Sequence, residues 1–521
     1  MDHQPENLLS HLPIIRIYTA FTSLILSIFA FYSDDLINSD GIMYLHMAQA
    51  FLDGGLSATQ QIYDWPFFSI LIAGFHTISS LPLELSAAII NSGLFVLLTD
   101  ALLLISSRLV NNHTQLILAA ILILSFYPIN EYRDFIIRDI GYWAFCSLAL
   151  YQFIKFIERP RLSSSSGWQV AILTAILFRI EGIVILLALP LYTFFIYRPI
   201  IAFKHTLHLF YLFILGFITV TTIFIGKSGL ETAFGKLTSV SSYINFERVL
   251  NRLDKKSDIL ASQVLNQYSD EYSSMVLIAG LLFMLLFKVV KAFSFSYIAL
   301  SIIGIWREKR LFINSIQPLL IYFITINILI LTTFLFKRYF ISSRYAVITL
   351  IGLFLVFLPI ITQMMERIWL QKNKFLSAFI ALLITASLID SYNQSTSKTY
   401  IKDAAHWASN NLPVNSFILT DDQFLNYYFH TLSPRATLCV GPIYQKPKEI
   451  DYRGVTVKQQ QECKPYIKQG YQAFDYLVVV IKHEHKRLRT FLATTNLELL
   501  FESKDNRENK AAVYKIIKVR K

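Results

Sequence analysis

The stretch YAVITLIGLFLVFLPIIT, which runs from Tyr345 to Thr362, carries no charged residue. A helix needs about 20 apolar residues to cross a hydrocarbon layer of roughly 30 Å, so this stretch predicts a membrane-spanning helix. Similar runs recur along the chain at about 12–32, 85–107, 114–130, 139–157, 168–180, 182–197, 207–226, 290–306, 311–335, 344–365 and 375–390. We therefore predict a polytopic α-helical membrane protein with about 11 transmembrane helices.

The composition agrees with this fold class. Of the 521 residues 54% are hydrophobic, and the mean hydropathy is +0.49. A soluble protein of this length has no core large enough to bury so much apolar surface.

Two regions leave the number of spans open. The segments 168–180 and 182–197 are short, and between them Arg179 and Glu181 either pair with each other or form a polar turn. A further apolar helix at about 275–288 precedes the segment 290–306. The break Lys288-Val289-Val290-Lys291 between them predicts two helices rather than one.

The distribution of Lys and Arg predicts the orientation, because loops on the cytoplasmic side are enriched in these residues. With the N-terminus inside, an odd number of spans places the tail outside. We expect residues 1–390 to form the transmembrane module and residues 391–521 to form an extramembrane domain. The absence of retention and lipidation signals favours a multi-pass protein of a bacterial inner membrane, with a periplasmic tail.

The tail has a different sequence pattern. Short apolar runs such as 416–419 and 476–481 alternate with helical patterns, which predicts a small α/β domain. The tail has 20 basic and 12 acidic residues, so most of the net charge of +12 lies there. A basic domain near a bilayer attracts anionic lipid headgroups or a phosphorylated ligand, or is simply a solvated surface. No basic–aromatic motif repeats, so we expect no nucleic-acid partner.

Two of the three cysteines, Cys439 and Cys463, lie in this tail. An oxidising compartment would permit a disulfide between them, but the sequence alone leaves the pairing open because it does not supply the geometry.

The loop between the first two spans, about 33–84, is too long for a simple connection, and loops of this length are usually functional. Its segment Asp40–Asp53 has the pattern of an amphipathic helix that the pair Gly54-Gly55 would end. The segment Trp65–Ile78 follows, with Pro66 placed as in a first helical turn. Two interfacial helices of this kind would hold an amphiphile at headgroup level.

These residues resemble a known family, the polyprenyl-phosphate-sugar-dependent glycosyltransferases of the GT-C class. Aminoarabinose transferases and protein O-mannosyltransferases (glycosyltransferase family 39) belong to this class. In the family an Asp follows the first span in the motif Asp-x-x-x-Tyr-x-x-x-Ala. Here Asp40, Tyr44 and Ala48 occupy those places. A second acidic residue precedes a proline, as Asp64 precedes Trp65-Pro66.

The resemblance continues in later loops. In the second loop, Glu131-Tyr132-Arg133-Asp134 ends one span and Arg138-Asp139 opens the next. The stretch Arg338-Tyr339-Phe340-Ile341-Ser342-Ser343-Arg344-Tyr345 resembles the family's Arg-Tyr at the outer end of a late span. Many relatives have a basic residue directly after the second acidic one, where this chain has Trp65. Binding of the donor phosphate would then fall to other cations, namely Arg133, Arg138, Lys337, Arg338 and Arg344.

The resemblance implies a reaction and a set of roles. A displacement at the anomeric carbon requires a carboxylate to accept the proton of the acceptor hydroxyl and cations to stabilise the leaving phosphate. We assign Asp40 as the general base, with Asp64 orienting the acceptor and Asp134 supporting it. Asp40 and Asp64 could instead cap the helices that follow them. The remaining predicted substrate contacts are Tyr44, Tyr63, Asp139 and Tyr345.

The implied partners are a polyprenyl-phosphate-sugar donor, membrane lipids and a lipid, glycan or protein acceptor. No Gly-rich phosphate loop is present, so no nucleotide is expected. No cofactor is predicted, while a requirement for a divalent metal stays open. Two alternatives remain: a polysaccharide ligase or polymerase, and a non-enzymatic lipid or sugar transporter or flippase. The clustering of charges at one face and the lack of repeated halves disfavour transport.

Overall fold

The computed structural model describes residues 6–33, 36–225, 246–309, 314–392, 398–432, 437–443, 455, 457–482, 486–505 and 509–517. The chain forms two compact units that alternate along the sequence. The first unit comprises Met1–Ile25, Gly93–Tyr132 and Arg138–Ser391. The second unit comprises Leu26–Ser92, Arg133–Ile137 and Tyr392–Lys521.

Helices occupy most of the chain up to Tyr392. In the first half they are α1 (Glu6–Ser33), α2 (Ser39–Ile62), α3 (Phe67–Ser79), α4 (Leu83–Leu109), α5 (His113–Leu124), α6 (Tyr127–Asn130), α7 (Asp139–Glu158), α8 (Leu162–Phe178), α9 (Gly182–Ala188), α10 (Thr193–Ile196) and α11 (Pro199–Ile225). Further along they are α12 (Phe246–Gln263), α13 (Ser273–Ala292), α14 (Phe295–Glu308), α15 (Gln317–Arg338), α16 (Ser343–Leu370) and α17 (Lys374–Tyr392).

The remaining described residues form a small α/β region. Its helices are α18 (Thr399–Asn411), α19 (Gln423–Leu432), α20 (Val457–Gln469) and α21 (Lys486–Thr494). Its strands are β1 (Phe417–Thr420), β2 (Thr437–Val440), β3 (Tyr476–Ile481), β4 (Leu497–Lys504) and β5 (Lys510–Ile516).

Seven helical segments within the described ranges are long and apolar enough to cross a membrane: Ser10–Ser33, Leu83–Leu109, Asp139–Glu158, Asp270–Ala292, Gln317–Arg338, Ser343–Leu370 and Lys374–Tyr392. Shorter apolar helices lie at Phe67–Ser79, His113–Leu124, Leu162–Phe178, Gly182–Ile196 and Pro199–Leu215. The chain is therefore an integral membrane protein, and the predicted helical fold with a C-terminal α/β region is confirmed.

The predicted break between two helices near 290 is confirmed, a few residues later than expected. The longer helix is α13, which ends at Ala292, and α14 begins at Phe295. Ser294 between them has φ 69°, a left-handed conformation that a continuous helix does not accommodate.

An aromatic cluster forms part of the core of the first unit. The ring of Phe126 stacks on Phe354 with centroids 4.5 Å apart and meets the edge of Tyr297 at 5.0 Å. The Tyr297 hydroxyl donates to the carbonyl of Leu122 at 2.6 Å, so the buried oxygen is paired.

The sheet of the second unit has the strand order β2-β1-β3-β5-β4. β1 pairs in parallel with β2 and β3, whereas β5 is antiparallel to β3 and β4. Helices α18 and α19 pack on what we call the first face, against residues such as Ile418 and Val478. Helices α20 and α21 pack on the second face, against residues such as Leu419 and Leu477.

Within the second unit, the segment that follows α1 is fixed to the first face of the sheet. Leu36 belongs to the core on that face. The amide of Ile37 donates to the hydroxyl of Tyr428 in α19 at 2.9 Å. The first loop is therefore part of the same compact unit as the C-terminal sheet.

A disulfide joins Cys439 in β2 to Cys463 in α20, with the two Cα atoms 5.5 Å apart. The pairing that the sequence left open is thereby resolved. The bond holds α20 on the second face of the sheet.

Candidate functional site

Asp40 lies in the first turn of α2, where the helix dipole favours a negative charge. The position that caps this helix belongs to Asn38. The alternative in which Asp40 serves as the cap is therefore wrong, and its half-buried carboxylate belongs to the helix itself.

The start of α2 is joined to the second loop through Asn38. Its Oδ1 accepts a hydrogen bond from the amide of Ile136 at 2.8 Å. Gly41 permits the close approach, because a Cβ there would lie 3.0 Å from the Cβ of Ile136. The structure thereby places Asp40 and Asp134 on two segments that are hydrogen-bonded to each other.

Tyr63 and Asp64 connect α2 to α3, and both are exposed. The residue before α3 is Pro66, which holds the cap position, so the alternative in which Asp64 caps the helix is also wrong. Gly55, with φ 68°, interrupts the helical conformation within α2. The predicted break at the glycine pair is thus present as a kink, after which the helix continues to Ile62.

Tyr44 joins the two helices of the first loop. Its ring meets the ring of Phe68 edge to face, with centroids 5.3 Å apart. Tyr44 follows Asp40 by four residues and Phe68 follows Asp64 by four. The contact therefore holds the segments that carry the two carboxylates beside each other.

Arg133 is buried within the second unit, with 4% of its surface exposed. Its Nη1 donates to the hydroxyl of Ser27 at 2.7 Å. Burial lowers the pKa of Arg133 to about 10, which leaves the guanidinium charged at neutral pH. The carbonyl of Phe135 accepts a hydrogen bond from Asn91 at 2.9 Å, so this segment is anchored at two points.

The first unit contains a cleft between α7, α15, α16 and the turn that joins α8 to α9. Most of its walls are apolar or aromatic, and a charged pair lies among them. The lining includes Tyr142, Trp143, Phe334 and Tyr345 next to Arg179 and Glu181.

Arg179 is the centre of the charged group in this cleft and is 7% exposed. Its Nη1 donates to Oδ1 of Asp139 in the first turn of α7. Its Nη2 and Nε donate to the two oxygens of Glu181, at 2.6 and 3.2 Å. The planar guanidinium therefore bridges two carboxylates, with a two-pronged contact to one of them.

The charge states of this group follow from its contacts. Burial lowers the pKa of Arg179, but Asp139 and Glu181 outweigh burial and raise that pKa above its ordinary value. Burial raises the pKa of Glu181, but the charge and hydrogen bonds of Arg179 outweigh it and bring that pKa to about 2. Arg179 and Glu181 are therefore both charged at neutral pH.

Tyr345 lies between two guanidinium groups. The central carbon of Arg179 is 4.7 Å from the centre of its ring, and that of Arg344 is 5.1 Å away. Nη2 of Arg344 also donates to the Tyr345 hydroxyl at 3.3 Å. Both cations interact with the electron-rich face of the ring.

Two further arginines lie next to this charged group. Arg138 is close enough to Glu181 to contribute to lowering its pKa. Arg344 lies against the ring of Tyr345, which lines the cleft. Arginines and aromatic rings are therefore adjacent in this part of the first unit.

The structure brings together four of the predicted residues within the first unit, namely Arg138, Asp139, Arg344 and Tyr345. Lys337 and Arg338 belong to the last turn of α15, where Arg338 is exposed. In the second unit the structure brings together the segments that carry Asp40, Asp64 and Asp134. The roles assigned to all of these residues stay predictions.

Arg179 and Glu181 were not among the predicted site residues. Their pairing was one of two readings that the sequence allowed, and it is confirmed. The bond from Arg179 to Asp139 joins residues 40 positions apart, so local sequence carries no signal for it. The sequence did offer one signal, because two charged residues lie between apolar helices. Charges in such a place are costly without partners, so they indicate a paired or functional group.

Among the residues that the structure describes, no group of three or more His, Cys, Asp or Glu side chains could hold a metal ion. The titratable groups of the cleft are engaged with one another as described above.

No family model matches the sequence, and a search of curated proteins gives no match. Several solved structures show a likeness, among them these two. A cryo-EM structure of a mutant of the arabinofuranosyltransferase AftD from Mycobacteria matches with a TM-score of 0.45 and 12% identity, covering 96% of this chain and 41% of that chain. The crystal structure of apo ArnT from Cupriavidus metallidurans matches with a TM-score of 0.38 and 12% identity, covering 96% and 97%. The chain thus spans less than half the length of the AftD structure.

Proposed function

We propose that this protein is a glycosyltransferase that moves a sugar from a polyprenyl-phosphate carrier to an acceptor hydroxyl. The observation that supports this most is the cleft of the first unit. There Arg179 is fixed by two carboxylates, and the ring of Tyr345 contacts both Arg179 and Arg344. A phosphate carried on an apolar chain has the matching charge and polarity.

We assign contact with the donor phosphate to Arg344, because it belongs to the stretch that resembles the family's Arg-Tyr and lies against Tyr345 of the cleft. Arg179 has its Nη1, Nη2 and Nε engaged by Asp139 and Glu181, so it shapes the cleft and holds Tyr345. The resemblance noted from the sequence supplies the polyprenyl nature of the carrier.

The proposed reaction is a single displacement. The acceptor oxygen bonds to the anomeric carbon while the bond from that carbon to the phosphate oxygen breaks, so the anomeric configuration inverts. The electron pair of the broken bond leaves with the polyprenyl phosphate, whose charge is stabilised by cations. The proton of the acceptor hydroxyl passes to a carboxylate, which we assign to Asp40. Asp64 and Asp134 keep their assignments of orienting and supporting that step.

The disulfide supports an orientation for the C-terminal region. Bonds of this kind persist in oxidising compartments such as the bacterial periplasm. Cys439 and Cys463 are bonded, which favours the placement of the sheet of the second unit on the periplasmic side of an inner membrane. This agrees with the orientation predicted from the distribution of Lys and Arg.

The test uses the full-length protein in proteoliposomes with a panel of labelled polyprenyl-phosphate sugars and membrane-lipid, glycan and peptide acceptors. We expect one donor to be consumed, with release of polyprenyl phosphate. An R344Q variant should use that donor about 10-fold less efficiently or worse, because a hydrogen bond to a charged group contributes about 1.5–3 kcal/mol. The control is R161Q, because Arg161 is exposed and lies outside the cleft. Movement of a donor across the membrane without its consumption would point to the transport alternative.

A further inference from the structure

The two helix layers of the C-terminal sheet differ in charge. On the first face, α18 contains one Lys and one Asp, and α19 contains no Lys, Arg, Asp or Glu. On the second face, α20 and α21 together contain six Lys or Arg and one Glu. Most of the excess positive charge of the tail therefore belongs to the layer formed by α20 and α21, which we call the basic layer.

The cations of the basic layer are directed to solvent. Lys464, Lys468 and Lys486 are exposed, while Cys463 and Leu488 of the same helices are buried against the sheet. No described carboxylate forms an ion pair with any of these three lysines in the part of the chain that the structure covers. A lysine that neutralised a neighbouring carboxylate would have a structural role. None of these three lysines neutralises a carboxylate of the described residues.

Arg489 adds a second kind of observation. Its Nε is buried and has no hydrogen-bond partner within the described residues. An unpaired buried donor is unfavourable, so an acceptor group supplied by a ligand would stabilise it. Arginine presents a fork of donors that matches phosphate oxygens.

The spacing of these groups suits a repeating anion. Lys464 and Lys468 are separated by one helical turn, about 6 Å along the axis of α20. Tyr471, in the turn just after α20, contacts Phe491 of α21 with ring centroids 5.1 Å apart. The basic layer therefore presents exposed lysines from two helices that pack on the same face of the sheet.

The basic layer is separate from the face that the first loop contacts. The segment that follows α1 packs on the first face, through Leu36 and Ile37. The basic layer lies on the opposite face of the sheet, so these contacts leave its exposed lysines accessible to a polyanion in solution.

We propose that the basic layer binds a phosphate-bearing polyanion through Lys464, Lys468, Lys486 and Arg489. This interaction surface is separate from the proposed glycosyl transfer and does not depend on it. Binding neutralises several lysines at once, so its strength falls steeply with salt concentration.

The test uses the full-length protein in nanodiscs of phosphatidylcholine, with fluorescent inorganic polyphosphate as the probe and anisotropy as the readout. Wild-type protein should bind, and the K468E/K486E variant should lose at least about 10-fold in affinity. The slope of log affinity against log salt should fall by about 2, one for each lost contact. The charge-conserving K468R/K486R variant should bind like wild type.

A location control separates this surface from a general effect of net charge. Lys515 is an exposed lysine of β5. Residues two positions apart in a strand lie on the same face, and Val513 packs on the first face, so Lys515 belongs to that face. The single variants K515Q and K468Q each remove one positive charge, from opposite faces of the sheet. We expect only K468Q to weaken binding. Thermal unfolding of both variants is measured alongside, because Lys515 lies opposite Glu498 in the pairing of β4 and β5.

Two results would overturn the proposal. One is an equal loss of binding in K515Q and K468Q, which would mean attraction by net charge alone. The other is an absence of polyphosphate binding together with K468-dependent capture of vesicles made of phosphatidylglycerol, which would assign the layer to a membrane surface.

Discussion

Gly141 in α7 lies directly against the ring of Phe178 at the end of α8, and a Cβ on Gly141 would be only 2.3 Å from that ring. Asp139 lies two residues before the glycine, and Arg179 follows the phenylalanine directly. The close packing of the two helices is therefore what brings the carboxylate of Asp139 to the guanidinium of Arg179.

A side chain at position 141 should disturb the cleft. We expect G141A to destabilise the protein by about 1–3 kcal/mol, the usual cost of inserting a group into a packed core, and to lower donor turnover. Thermal unfolding in detergent measures the first effect. The double variant G141A/F178A, which removes the clashing ring, should recover part of the turnover if the helix contact sets the cleft. A G141A protein as stable as wild type would contradict this account.

Replacing Arg179 with an uncharged residue should destabilise the protein more than replacing it with lysine. R179M leaves Asp139 and Glu181 in the cleft without their shared cation, and breaking a buried ion pair typically costs about 3–5 kcal/mol. R179K keeps the positive charge but loses the two-pronged contact, so its loss should be smaller. The thermal midpoints of the two variants should therefore rank in that order. Equal midpoints for R179M and wild type would show that the charged group contributes nothing to folding.

The disulfide should stabilise the second unit. Its cysteines are 24 residues apart, and a loop of this size corresponds to about 3 kcal/mol of stabilisation in the chain-entropy model. We expect reductant to lower the thermal midpoint of wild-type protein and to leave that of C439S/C463S unchanged. Cys146 is buried and unbonded, so it should not contribute to this difference. A midpoint of wild-type protein that is insensitive to reductant would contradict the prediction.

Asp421, directly after β1, should give the second unit a pH-dependent stability. Burial and the neighbouring Asp422 raise the pKa of Asp421 from 3.8 to about 7. Between these values the folded state binds more protons than the unfolded state, so stability falls as the pH rises from about 4 to about 7. The thermal midpoint of D421N should not show this fall in stability between pH 4 and 7.

Asp422 provides the matched control for that experiment. Its Oδ1 accepts hydrogen bonds from the amides of Phe424 and Leu425 at 2.8 and 3.1 Å, and so it caps α19. D422A should lower stability by about 1 kcal/mol through loss of the cap. It should keep a reduced slope between pH 4 and 7, because burial, the larger cause of the raised pKa of Asp421, remains while the charge of Asp422 is lost. If the stability of D421N fell between pH 4 and 7 as steeply as that of wild type, another group would be responsible for the pH dependence.

Much of the fold could be predicted because it depends on local patterns. The apolar runs locate most of the long helices, and the first-loop helices begin within a few residues of their predicted starts at Asp40 and Trp65. The start of α11 at Pro199, rather than near 207, was missed because Lys204 and His205 interrupt the hydropathy signal. A helix accommodates such polar residues without interruption, so hydropathy alone underestimates its length.

The candidate site was harder to predict because its contacts join distant segments. The bond from Asn38 to Ile136 spans 98 residues, and the bond from Arg179 to Asp139 spans 40. Neither hydrogen bond is marked by a periodicity or a motif in the sequence. The cap assignments for Asp40 and Asp64 failed for a related reason: the helices begin at neighbouring residues, and helix ends are the least certain feature of a sequence pattern.

The most direct test of the central claim compares turnover of a labelled polyprenyl-phosphate sugar by wild-type, D40N and D53N proteins. Asp53 belongs to the same helix as Asp40, is exposed and bonds only locally to Gln49, so it is the matched control. We predict release of polyprenyl phosphate by wild type and D53N, and a loss of about 100-fold or more in D40N, as expected for a general base. Equal release by D40N and wild type would contradict the proposed mechanism.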